Sequence, residues 1–161
     1  RGLMGYTSRF LTLTKGTGVI NRIFHGYGKF EGEMDGRKNG ALISMANGKA
    51  VAFAIFNLQA RGEMFVTHND PVYEGMIVGL APKAGDMIIN VMKGKQLTNM
   101  RTQGTDENVV LTPVRQMSIA EQLSMLNTDE ALEITPKSLR LRKAILNPND
   151  RKKNEKSSTP L

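Results

Sequence analysis

Residues 41–56 read ALISMANGKAVAFAIF. Two apolar runs flank Asn47-Gly48, a pair suited to a tight turn because both residues tolerate positive φ. The stretch therefore predicts two antiparallel strands joined by a hairpin. Its flanks extend the same theme. NLQARG (57–62) predicts one helical turn stopped by Gly62. EMFV (63–66), VYEGMIVGL (72–80) and MIINVM (87–92) predict strands, separated by turns at THNDP (67–71) and APKAGD (81–86). Gly75 and Gly79 predict bulges or sharp bends.

Further out, VVLTPV (109–114) predicts a strand. SIAEQLSMLN (118–127) predicts a helix with a capping box, Ser118 and Glu121 each bonding the other's backbone N–H. Ile119, Leu123 and Leu126 are its expected buried face. ALEIT (131–135) predicts a strand ended by Pro136, and SLRLRK (138–143) alternates. As a strand it points Leu139 and Leu141 inward and Arg140 and Arg142 outward. Towards the N-terminus, Leu3, Tyr6, Phe10 and Leu13 share one helical face, and Gly16 and Gly18 follow Lys15 as a glycine cap. VINRIFHGY (19–27) predicts a strand, and the glycine-rich segment 28–40 a connector and domain boundary. The expected class is α+β, with a β-rich, mainly antiparallel, barrel-like core and two or three helices.

The 161 residues suffice for one domain, or one domain plus part of another. Arg1 opens a pattern that reads as a helix already under way, so a piece of a longer protein is expected. There are no cysteines, which excludes a disulfide framework, a thiolate nucleophile and a Cys-based zinc site. No apolar run approaches the ~18–20 residues that span a bilayer, so no membrane role and a cytoplasmic location are expected. The ten methionines fall mostly in apolar runs and read as adaptable core filler.

Catalytic patterns are sparse. A phosphate-binding loop needs G-x-x-x-x-G-K-[ST]. Gly48-Lys49 is followed by Ala50 with Ile43 in the first glycine's place, and Gly94-Lys95 is followed by Gln96 with Ile89 there. Neither fits. His25 and His68 are the two histidines. His68 with Asp70 could form an acid–base pair, but no nucleophile stands at a useful spacing, and structural roles are expected for both. The chain is not expected to be an enzyme, and no catalytic, metal or cofactor residue is assigned.

Charge is more informative. The net charge is +7. Residues 1–136 hold 14 Lys+Arg against 13 Asp+Glu, and residues 137–161 hold 8 against 2. Basic character is thus a C-terminal addition to a nearly neutral body, which suggests a polyanion partner. The concentrated sites are Arg140, Arg142 and Lys143, then Arg151, Lys152 and Lys153, and the stretch KGKQLTNMRTQGTDENVV (93–110). Lys and Arg neutralise phosphates, and Asn, Gln and Thr add hydrogen bonds. With no Trp, three Tyr and six Phe, a stacking platform for single strands is disfavoured, and a structured RNA fits better. A solvated basic face, or an acidic protein or lipid, stays open on composition alone.

Several blocks together resemble a known family: RGLMGYTSRFLTLTKGTG, NGALISMANGKAVAFAIFNLQARGEMFV, VYEGMIVG, GKQLTNMRTQGTDENVVL, and LRLRK with NDRKK. They are similar to the C-terminal part of the BipA (TypA) family of bacterial translational GTPases, from Arg1 to about Lys153. The resemblance implies that residues 1–30 are the end of a ferredoxin-like domain shared with elongation factor G. Residues 31–153 would be the family's C-terminal domain, and 154–161 a disordered tail. GTP and magnesium would belong to an N-terminal domain outside this chain. The implied role is contact with the ribosome, at the acceptor end of A-site tRNA and at large-subunit RNA. Ribosome assembly and stress adaptation are the implied tasks of the monomeric, ribosome-associated parent. The implied contact residues are Lys95, Asn99 and Arg101, with Lys93 and Thr98 beside them. Gln96 stands where the resemblance implies a second lysine. The alternative is a structural module that packs against other domains and carries an inert basic tail.

Overall fold

The computed structural model describes residue 3 and residues 6–30, 32, 37–94 and 110–158. The elements follow in the order α1 (Tyr6–Leu13), β1 (Ala41–Ser44), β2 (Gly48–Lys49), α2 (Ala52–Gln59), β3 (Glu63–Met64) and β4 (Pro71–Val72). After them come β5 (Ile77–Leu80), β6 (Met87–Ile89), α3 (Ile119–Met125), β7 (Glu130–Ile134), β8 (Leu139–Lys143) and α4 (Pro148–Ser158). The class is α+β, as expected. Pairing is antiparallel except between β1 and β6.

The main sheet has the order β3-β5-β1-β6, and β2-β4 and β7-β8 form two small ladders. Among the described residues the sheets stay open, so the expected barrel does not close, and there are four helices instead of two or three. β1 is buried at all four positions, since it lies between two strands and is covered on both faces. Leu42, Ile55, Val78 and Val91 centre one apolar cluster; Ala41, Ile43, Ile77 and Leu141 centre a second. Each large aliphatic side chain buried this way contributes roughly 1.5–3 kcal/mol.

The hairpin expected at 41–56 is corrected. β1 and β2 belong to different sheets, and the second apolar run is helix α2. Short apolar runs fit either period. Ala54, Ile55 and Leu58 share the buried face while Phe56 is half exposed, which is helical spacing. The turn at NLQARG is the end of this helix. Its first N–H, on Ala52, donates to His68 Nδ1 at 3.2 Å, a cap that the N-cap residue Val51 does not supply. Asn47 serves the fold through its side chain, whose Oδ1 accepts from Glu74 N–H at 2.8 Å.

Gly75 has φ +83° and splits the run 72–80 into β4 and β5. The register slips by one residue where Leu42 faces Gly79 and Ile43 faces Ile77, the bulge that the glycines foretold. Two expected strands are absent from the described residues. Residues 19–27 take no regular element and, apart from the half-buried Ile20, are exposed, with no described strand beside them. Residues 110–114 also form none; there the Gln59 amide stands in for a partner strand. It donates to Thr112 O at 2.8 Å and accepts from Thr112 N–H at 3.1 Å.

The glycine cap after α1 is present, with Gly16 at φ +80° and its N–H on Leu11 O at 2.7 Å. The capping box of α3 is present too: Glu121 N–H donates to Ser118 Oγ at 3.3 Å, and Ser118 N–H to Glu121 Oε2 at 2.9 Å. Those hydrogen bonds from Ser118 hold the Glu121 carboxyl below its ordinary pKa. The buried residue of α3 is Gln122, whereas Ile119 is half exposed. The tail expected at 154–161 begins inside α4. No helix among the described residues is long and apolar enough to cross a membrane.

Candidate nucleic-acid interface

Strand β8 carries the first group of expected contacts. Arg140 and Arg142 leave the same face of the strand and are partly exposed. Glu133, directly opposite Arg140 on β7, sits between them. Its carboxylate lies 3.5 Å from Arg140 Nη1 and 4.0 Å from Arg142 Nε. Tyr73 donates its hydroxyl to Glu133 Oε2 at 2.6 Å. Burial and the neighbouring Glu133 push the Tyr73 phenol up to about 12, so it stays a donor. Arg142 also donates to Lys143 O at 3.2 Å. The two arginines are therefore one partly neutralised patch.

Lys143 is a correction. Charge alone groups it with the two arginines, yet strand parity puts it with Leu139 and Leu141, and the structure buries it to 2% exposure. Its ammonium lies 2.5 Å from Asp86 Oδ2, 2.6 Å from Asp129 Oδ2 and 3.0 Å from Glu130 Oε1. Glu130 in turn accepts both guanidinium nitrogens of Arg37, at 2.6 and 2.5 Å. Burial alone would lower the Lys143 pKa, but hydrogen bonds to Asp129, Asp86 and Glu130 outweigh it and hold it above the usual lysine value. Asp86 is likewise pulled two ways. Burial raises it, while the Ala41 N–H bond and Lys143 prevail and keep it below the ordinary aspartate range. Lys143 is a cation of the core, closed to phosphate. The alternation itself held the signal: position 143 shares parity with 141.

The second group lies on α4. Arg151 turns back on the chain, its Nη1 donating to Ile145 O at 3.0 Å and Leu146 O at 2.6 Å. Lys152 and Lys153 are exposed. Lys153 meets Asp150 at 3.5 Å, an exposed pair worth little. Lys156 lies one turn beyond Lys152 on the same face. Four residues separate β8 from α4, so both groups stand near one end of the chain.

The third group is only partly visible. Lys93 is exposed. Lys95, Thr98, Asn99 and Arg101 lie outside the described residues.

Among the described residues the histidines have structural partners or stand in solvent. His68 caps α2, and Asp70 accepts from the N–H and hydroxyl of Thr67 at 2.7 and 3.0 Å. Among the described residues no group of three or more His, Asp and Glu could hold a metal. Gly48 and Lys49 form β2, and a Cβ at Gly48 would meet Met92 Sδ, so this pair is no cradle for a nucleotide's phosphates.

Comparison with known proteins agrees with the sequence blocks. Residues 39–148 match the TypA/BipA C-terminal domain family. The large ribosomal subunit assembly factor BipA of Buchnera aphidicola subsp. Schizaphis graminum is 47% identical over 162 residues, covering 100% of this chain and 27% of that protein. The factor of the same name from Salmonella typhimurium is 47% identical over 154 residues, covering 95% and 25%. That from Haemophilus influenzae is 42% identical over 160 residues, covering 99% and 26%. The chain thus spans about a quarter of the length of the curated relatives it matches. It belongs to the family of the TypA/BipA C-terminal domain.

Proposed function

We propose that this chain is the ribosome-contacting, RNA-binding part of a BipA-type translation factor that acts in large-subunit assembly. The observation that carries the reading is the 47% identity, over 100% of the chain, to a protein named for that task. The exposed cations supply the chemistry. Lys152, Lys153 and Lys156 on α4, and Lys93 with its neighbours Lys95, Thr98, Asn99 and Arg101, contact phosphate and sugar oxygens. Arg140 and Arg142 add a weaker patch, and Lys143 takes no part. The targets are the acceptor end of A-site tRNA and large-subunit ribosomal RNA, in the cytoplasm, with the parent acting as a monomeric GTPase during stress adaptation. GTP and magnesium belong to another part of the parent, and this chain contributes no catalytic residue.

Salt-titrated binding to ribosomes, with and without A-site tRNA, tests the reading. Reversing Lys95 and Arg101 to Glu lowers affinity and leaves the fold intact; unchanged salt-dependent binding sinks it. A packing role has support at the other end of the chain. Val19, Ile23, Phe24, Tyr27 and Phe30 are all more than 70% exposed, an apolar row suited to cover by another domain. Ribosome affinity kept after truncation before α4 would favour packing as the role of the basic end as well.

A further inference from the structure

Glu133, Arg140 and Arg142 share one face of the β7–β8 hairpin, with the carboxylate between the two guanidiniums. Their side chains keep 32%, 27% and 33% exposure, against 2% for Lys143 on the opposite face, so the trio is open to a ligand. Opposite Arg142 the partner strand sets only the methyl group of Ala131.

The trio is loosely joined. Glu133 Oε1 lies 3.5 Å from Arg140 Nη1, and Oε2 lies 4.0 Å from Arg142 Nε, both beyond hydrogen-bond range. Among the described residues the one hydrogen bond that Glu133 accepts comes from the Tyr73 hydroxyl, on Oε2 at 2.6 Å. Tyr73 thus holds the carboxylate in place and leaves Oε1 able to accept. Arg142 commits Nη1 to Lys143 O, at 3.2 Å, while Arg140 donates no hydrogen bond among the described residues. The face therefore offers donors, an acceptor and donors again, in that order.

Its complement is an acceptor, a donor and an acceptor. A phosphodiester strand supplies acceptors, and Arg pairs with phosphate through its planar fork. The two arginines stand two residues apart on one strand, about 7 Å, comparable to the step between neighbouring phosphates. A carboxylate set between two phosphates repels both unless a donor lies there. In RNA the ribose between them carries one, the 2′-hydroxyl. DNA or an acidic peptide brings acceptors alone and leaves Glu133 facing anions, a repulsive element that builds selectivity.

We propose that this face reads the RNA backbone, Arg140 and Arg142 holding consecutive phosphates while Glu133 accepts from the 2′-hydroxyl between them, so that Glu133 selects RNA over DNA. This rests on the RNA reading above and deepens it. The 2′-hydroxyl is what tells RNA from DNA at a given site, and the wide minor groove of A-form RNA displays it. Glu133 lowers the charge of the patch and in exchange gives it selectivity.

The test is an NMR titration of the 15N-labelled chain with a short RNA hairpin and with its 2′-fluoro counterpart of the same sequence. Fluorine keeps the A-form sugar but cannot donate. The expected result is shifts at Glu133, Arg140 and Arg142, with the hydroxyl strand bound about tenfold tighter, the size of one hydrogen bond to a charged group. Glu133→Ala lowers that ratio to near one, and Arg140→Gln weakens both strands alike. Equal binding of the two strands by the parent chain, or a ratio that Glu133→Ala leaves unchanged, overturns the proposal. Salt-dependent RNA binding with shifts confined to α4 overturns it and leaves the RNA reading standing. Hydroxyl-selective binding at the hairpin by a chain without affinity for ribosomes keeps it and overturns that reading.

Discussion

Glu130 and Lys143 are direct cross-strand partners on β7 and β8, and their side chains meet at 3.0 Å with 0% and 2% exposure. Arg37 closes the other side of Glu130, and Asp86 and Asp129 close the other side of Lys143. The cluster ties the segment before β1, the start of β6 and the β7–β8 hairpin together. Lys143→Met keeps most of the stem volume but strands the carboxylates. Removing one partner of a buried pair costs roughly 3–5 kcal/mol. Partial exposure of Asp86 and Asp129 places the expected loss near the lower end, about 3 kcal/mol. Urea denaturation checks this, and a loss under ~1 kcal/mol would show that the cluster is not a staple.

The same cluster sets a pH dependence. Asp86 has a lowered folded pKa. Its contribution is fully present above the unfolded value of about 3.9 and disappears as pH falls through the lower folded value. Lys143 has a raised folded pKa. Its contribution is fully present below the unfolded value of about 10.4 and disappears as pH rises through the higher folded value. Asp86→Asn is therefore less stable than the parent chain at neutral pH, and the gap narrows below about pH 3.9. Denaturation midpoints of both proteins across pH 2–7 read this directly. A gap that stays constant down to the lowest pH would contradict the assignment.

What the sequence made legible depended on whether a local pattern had one physical solution. The Ser118–Glu121 box and the Lys15-Gly16 cap specify their own geometry within a few residues, and both are present. The β7–β8 alternation had one solution as well, including the inward parity of Lys143 that charge-based grouping overrode. ALISMANGKAVAFAIF had two. An apolar run of that length fits a strand or a helix, and only packing against the main sheet selects α2. Residues 110–114 had a strand's composition, but a strand needs a neighbour, and the Gln59 amide took that place. Gln122 was hidden because a polar residue inside a helical pattern is normally assigned to the solvent face.

Gly75 joins the main sheet to the hairpin. Its N–H donates to Ser44 O at 3.0 Å, and its carbonyl accepts from Lys143 N–H at 2.9 Å. Its φ of +83° suits glycine, and an added methyl would lie 2.7 Å from Leu146 Cα. Gly75→Ala thus combines left-handed strain of roughly 1–2 kcal/mol with overpacking of roughly 1–3 kcal/mol. The expected loss is about 2–5 kcal/mol, seen as a lower denaturation midpoint. Gly85, also at positive φ with a value of +99°, has open space at its Cβ position and isolates the strain alone. Gly85→Ala should cost less than Gly75→Ala, and the reverse order would refute the steric argument.

The exposed lysines of α4 should behave opposite to Lys143. Lys152 and Lys153 contact solvent, and the Asp150 partner of Lys153 is exposed too. Surface charge changes of this kind usually alter stability by less than ~0.5 kcal/mol. Lys152→Glu with Lys153→Glu should therefore fold like the parent chain. If both lysines meet phosphates, each lost contact lowers the slope of log affinity against log salt by about 0.7 to 0.9. The double variant should then bind RNA more weakly at low salt, and the difference should shrink as salt rises. Lys143→Met inverts the pattern, with lower stability and, under conditions where it stays folded, an unchanged salt slope. Salt-titrated ribosome binding of the three proteins, each checked for folding by circular dichroism, separates the two roles. An unchanged slope in the α4 variant would leave the basic helix without a phosphate partner.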